Sequence, residues 1–78
     1  MSREIILEKL TSIFQDVFDD DTITVNEETT AKDIEGWDSL RHVILLSVIG
    51  KAFEYSFTMD QMIEIKSVGD IVGILEKI

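Results

Sequence analysis

The chain has 78 residues, a formal net charge of −9, and neither cysteine nor proline. That length allows one small domain, 1–78, whose marginal core well-packed helices must carry, and the lack of thiols excludes a disulfide framework or a thiolate metal site. A hydrophobic content of 45% excludes wholesale disorder, while the negative field repels nucleic acid and anionic membrane and favours basic partners.

Ile5, Ile6, Leu10, Ile13, Phe14, Val17 and Phe18 recur at three- and four-residue spacing, which predicts one face of a helix from about Arg3 to Phe18. Asp19, Asp20 and Asp21 stop it, because carboxylates oppose the negative end of a helix dipole. The charged opening Met1-Ser2-Arg3-Glu4 does not read as a secretory signal. The longest nearly apolar run, Val43 to Ile49, falls far short of the roughly 20 residues a membrane span needs. The expectation is a cytoplasmic protein without membrane insertion.

Thr22 to Gly36 reads as a long ordered loop anchored by Ile23, Val25 and Ile34. Thr22 to Val25 has strand-like composition but no partner strand. Asp33 to Gly36 reads as one tight turn closed by glycine. The acids Asp19 and Asp21 raise the idea of a calcium loop. Ile23, Thr24 and Thr30 then stand where an oxygen ligand, a glycine and a glutamate are needed, so the idea fails.

A second helix is expected from Ser39 to Phe53 with Asp38 as N-cap. At about 100° per residue, Leu45, Leu46, Val48, Ile49, Ala52 and Phe53 form the core-facing arc. Leu40, Val43, Ile44, Ser47, Gly50 and Lys51 fall opposite, with Ser39 at the edge of that outward arc. Gly50 inside a helix costs about 1 kcal/mol relative to alanine and implies close approach by a neighbour. Thr58-Met59-Asp60-Gln61 has capping-box spacing and starts a short helix through Met62 and Ile63. Ser67-Val68-Gly69-Asp70 repeats the logic, and the last helix lines up Val68, Ile71, Val72, Leu75 and Ile78. The fold class is therefore an all-α four-helix bundle, three main helices and one short, with a long loop between the first and second. Its core is Ile6, Leu10, Phe14, Leu45, Ile49, Phe53, Ile71 and Leu75, with Trp37 and Phe57 closing the ends.

Asp38, Ser39 and His42 are close enough in sequence to suggest a hydrolase. His42 is the lone histidine and points about 60° away from Ser39 on a helix, whereas a triad needs nucleophile, base and orienter to converge. A chain this short does not readily enclose a triad with its oxyanion hole and pocket. Self-contained catalysis is set aside, and His42 reads as an ordinary first-turn residue. If Asp38 caps the helix, the Ser39 hydroxyl is left exposed at a helix N-terminus, where backbone N–H groups and the dipole favour a phosphate.

Trp37-Asp38-Ser39-Leu40, the helix that follows to Phe53, the Asp33-Ile34 approach and the Ser67-Val68-Gly69-Asp70-Ile71 start of the last helix resemble the acyl carrier protein family over nearly the whole chain. The resemblance implies a carrier, not an enzyme, with Ser39 esterified to 4′-phosphopantetheine, flanked by Asp38, and no metal of its own. It implies a phosphopantetheinyl transferase, which uses coenzyme A and magnesium, and acyl-loading and acyl-transfer enzymes as partners of a monomer. Many relatives carry acids along the outward face of the second helix, whereas this face shows Arg41, Ile44, Gly50 and Lys51. Partner docking is therefore expected through Leu40, Arg41, Val43 and Ile44, with charge from Glu35 and Asp38, unless Trp37 and the loop after Phe57 cover those apolar side chains. The departure points to a specialised acyl-transfer pathway rather than housekeeping fatty acid synthesis, with polyketide synthesis also open. Peptidyl and aminoacyl carriers share the fold and the modified serine, and an unmodified helical adaptor binding through Leu40, Val43 and Ile44 is the reading from another class.

Overall fold

The computed structural model describes residues 2–78. Helix α1 spans Arg3–Val17 and begins where the Ser2 hydroxyl oxygen accepts the Ile5 N–H at 3.3 Å. It ends one residue before the expected Phe18. Asp19 takes a left-handed φ of 50°, and the Asp20 N–H donates to the Gln15 carbonyl at 3.0 Å. That chain reversal, helped by an aspartate's tolerance of the left-handed region, closes the helix.

Helix α2 spans Ser39–Phe53, as expected, and Asp38 is its cap. Helices α3 (Met59–Glu64) and α4 (Val68–Leu75) each begin with a complete capping box, Thr58 with Gln61 and Ser67 with Asp70. Helix α1 packs against α2 and α4, and α2 packs against α3.

Every residue expected in the core is buried, Trp37 and Phe57 included. Leu46, Val68 and Val72 join them, as do the loop anchors Val25 and Ile34, and so does Ile65, which the periodicity did not single out. Ile5, Val48, Ala52 and Ile78, all expected on buried faces, are exposed. Ile78 lies beyond the end of α4. On α2 the buried residues are Leu45, Leu46, Ile49, Gly50 and Phe53, a stripe turned by about 50° from the expected arc.

Gly50 accounts for that rotation. The Tyr55 N–H donates back to the Gly50 carbonyl at 2.9 Å, and Glu54 turns left-handed with φ 55°. The returning chain lays the Tyr55 carbonyl so close that a Cβ on Gly50 would sit 2.4 Å from its oxygen. The connection between α2 and α3 thus fills the Gly50 side of the helix and leaves the Val48–Ala52 row uncovered. The close approach inferred from sequence is this carbonyl.

The loop between α1 and α2 is ordered without being a strand. Asn26 caps a turn by accepting the Glu28 N–H at 2.8 Å, and the Thr29 hydroxyl oxygen accepts the Asn26 N–H at 3.0 Å. Loop carbonyls then satisfy the donors at the start of α4: Val68 N–H to Thr29 at 2.8 Å and Gly69 N–H to Glu27 at 2.9 Å. Buried helix ends need such partners. Arg3 pairs with both Glu27 and Glu76, tying α1, the loop and the chain after α4 together at the surface. Among the described residues, no helix is long and apolar enough to cross a membrane.

Candidate functional site at the start of the second helix

The tight turn expected at Asp33–Gly36 delivers the chain to α2. The Asp33 N–H donates to the Thr30 carbonyl at 3.0 Å, and Gly36 takes a φ of 91° that strains other residues. Trp37 then drops into the core against Phe14, their rings edge-to-face at 5.3 Å. Asp38 turns extended, and its carboxylate accepts the Arg41 N–H at 2.9 Å. With the cap supplied by Asp38, Ser39 stands as the first residue of the helix, its side chain exposed.

Ser39 opens onto a groove of about 500 Å³ between α2 and α3, with Trp37, Val43, Met59, Met62 and Ile63 among its walls. Sequence reasoning did not find the α3 wall. The available signal was Met59, Met62 and Ile63, three apolar side chains on a helix too short to bury them.

His42 is more than a first-turn residue. Its Nδ1 accepts the Trp37 indole N–H at 3.0 Å, and the two rings stack at 22° with centroids 6.0 Å apart. The ring proton therefore sits on Nε2, which donates to the Met62 carbonyl at 2.8 Å. Both nitrogens are committed to structure, so the imidazole has none left to activate Ser39. This geometry removes the hydrolase reading independently of chain length.

The outward face of α2 is open. Leu40 is 70% exposed, Val43 49% and Ile44 44%, so neither Trp37 nor the chain after Phe57 covers them. Glu35 and Asp38 are exposed nearby in sequence. Arg41 is exposed as well, but its guanidinium donates to the Val17 carbonyl at 2.8 Å. A cation there suits the C-terminal end of α1.

A phosphopantetheine arm needs an open serine, a favourable field for its phosphate and room beside it. Ser39 is exposed, it stands at the positive end of a helix of 15 residues, and a largely apolar groove begins beside it. Lys66 also lines that groove. The residues fit the group.

The model of the phosphopantetheine attachment site family matches residues 8–75. A search of curated protein sequences returns no match. Among solved structures, the chain is similar to the solution NMR structure of a holo acyl carrier protein from Geobacter metallireducens. The two share 39% identity over 91% of this chain and 82% of that one, with a TM-score of 0.84. With the family model matched over most of its length and the fold shared with a solved relative, this chain belongs to the acyl carrier proteins of the phosphopantetheine attachment family: it is a carrier of covalently attached 4′-phosphopantetheine rather than an enzyme.

Proposed function

We propose that Ser39 is the attachment residue and that the chain, a single carrier domain, holds acyl groups on its arm for partner enzymes of a specialised acyl-transfer pathway. The observation that carries this reading is the exposed Ser39 side chain at the α2 N-terminus, with the capping task already taken by Asp38. In the attachment step the Ser39 Oγ attacks the pantetheine-side phosphorus of coenzyme A. The P–O bond to the nucleotide phosphate breaks, and the hydroxyl proton leaves to solvent or to the transferase. When bound, the arm supplies a thiol that holds acyl groups as thioesters, in a chain without cysteine. The α2 dipole favours the phosphodiester charge at its N-terminus. Val43, Met59, Met62 and Ile63 offer apolar surface along which an arm and its cargo can rest.

Leu40, Val43 and Ile44 are the proposed docking surface, with Glu35 and Asp38 supplying charge beside it. The face of α2 carries Arg41 and Lys51 and no carboxylate from Arg41 to Phe53, which suits partners less basic than those that read an acidic helix. Ile44→Glu should leave stability within about 0.5 kcal/mol of the parent, because the side chain is exposed. It should slow acylation by a partner enzyme roughly tenfold or more if Ile44 anchors the contact. Unchanged rates would remove the docking role. On this proposal the chain works as a cytoplasmic monomer without nucleic-acid partners.

Incubation with coenzyme A and a broad-specificity phosphopantetheinyl transferase, followed by intact mass measurement, tests the whole. A single adduct that disappears in Ser39→Ala supports the carrier. The absence of any adduct on the folded parent chain favours an adaptor that binds through Leu40, Val43 and Ile44.

A further inference from the structure

We propose that His42 is a positioning residue that latches α3 onto α2, and that adding a proton to its ring opens the latch and the groove beside Ser39. Helix α3 has no fully buried residue of its own, and only Met62 packs half-buried against the core. Its capping box is local, and Gln61 meets the Tyr55 hydroxyl, which belongs to the connection leading into α3. The hydrogen bond that reaches α3 from α2 is the one from His42 Nε2 to the Met62 carbonyl, between residues 20 apart in sequence. The same ring is held from the other side by the Trp37 indole N–H, two residues before Ser39. One imidazole therefore links the approach to the serine, the body of α2 and the α3 wall of the groove.

The link works in one protonation state. Neutral, the ring offers one acceptor and one donor, and each meets its complement. With a second proton, Nδ1 becomes a donor aimed at the indole N–H 3.0 Å away, and the Trp37 contact turns from attraction to conflict. Trp37 is wedged against Phe14 and Phe18, so the ring and the α3 carbonyl it holds are the parts able to give way. Of the charged groups, Asp38 from the start of α2 and Lys66 from beyond α3 line the groove alongside the ring. Trp37, Met62 and the α1 aromatics behind them bring no charge. The contacts complement the neutral ring alone, so protonation of this one imidazole is the event that opens the latch. Its effect on cargo rests on the carrier reading, while the latch itself does not.

The chain has one tryptophan and one histidine, so each gives an unambiguous signal. The test is a pH titration of the unloaded full chain by 1H–15N NMR. In the unprotonated ring the nitrogen shifts should report the Nε2–H tautomer. As His42 protonates, the Trp37 indole N–H and the Met62 and Ile63 amides should move with the midpoint of the His42 ring protons, while Ile71 and Val72 stay still. In His42→Gln, whose amide accepts and donates without titrating, those movements should vanish over the same range. An Nδ1–H tautomer would overturn the latch. So would indole and α3 signals that stay fixed while the ring protonates, or that move equally in His42→Gln. If that variant does not fold, the parent's tautomer and midpoints decide alone.

Discussion

Helices α3 and α4 begin in the same way and are held in opposite ways. Each opens with a hydroxyl and an N3 side chain that exchange hydrogen bonds with the backbone. Helix α4 then buries Val68, Ile71, Val72 and Leu75 and takes loop carbonyls on its first donors. Helix α3 has no fully buried residue: Met62 packs half-buried against the core, Ile65 anchors its end, and polar contacts hold the rest. A cap tells the chain where a helix starts, whereas apolar area removed from water decides how firmly it stays. The firm helix closes the core against α1, and the loosely held one forms a wall of the groove beside Ser39.

Truncation separates the two most strongly. Ile71→Ala should cost about 2–5 kcal/mol by denaturant unfolding, the usual range for a buried isoleucine. Ile63→Ala, on the exposed side of α3, should stay within about 0.5 kcal/mol. Equal costs would end the distinction. Next is the turn that joins α2 to α3. Gly50→Ala places a Cβ against the Tyr55 carbonyl, and overpacking of this kind costs roughly 1–3 kcal/mol, seen as a lowered Tm. Because Gly50 lies under the connection, its loss should also speed amide exchange in α3 more than in α4.

The caps sharpen the contrast at smaller cost. Ser67→Ala should lower global stability by about 1 kcal/mol, because α4 unfolds with the core. Thr58→Ala should leave the global midpoint almost unmoved and appear instead as faster exchange at Met62 and Ile63, a local opening. The smallest effect lies outside both helices. Hydrogen bonds from the Thr22 hydroxyl and the Thr22 N–H hold the Asp20 carboxyl below the usual carboxylate range. That contribution is complete above the ordinary carboxylate pKa and is lost as pH falls through the lowered value. Asp20→Asn should therefore flatten a slight part of the acid limb of a Tm–pH curve and leave the exchange of α3 and α4 alone.

Much of this was legible in the residues. Periodicity placed Ile6, Leu10, Phe14, Leu45, Ile49 and Ile71 in the core, and cap chemistry located the starts of α2, α3 and α4. Asp38 as cap, and hence Ser39 as an exposed first residue, followed from the same logic. What stayed hidden depends on backbone acceptors, which have no sequence signature. His42 reaches the Met62 carbonyl, Arg41 the Val17 carbonyl, and Gly50 gives way to the Tyr55 carbonyl. The last of these turned the buried stripe of α2 and exposed Val48 and Ala52 against expectation.

The attachment residue is tested most directly by proteolysis and fragmentation of the chain after treatment with coenzyme A and transferase. The added mass should fall on the fragment ion that contains Ser39 alone among the hydroxyl side chains. Its appearance on Ser2, Ser12, Ser47, Ser56 or Ser67 instead would contradict the account.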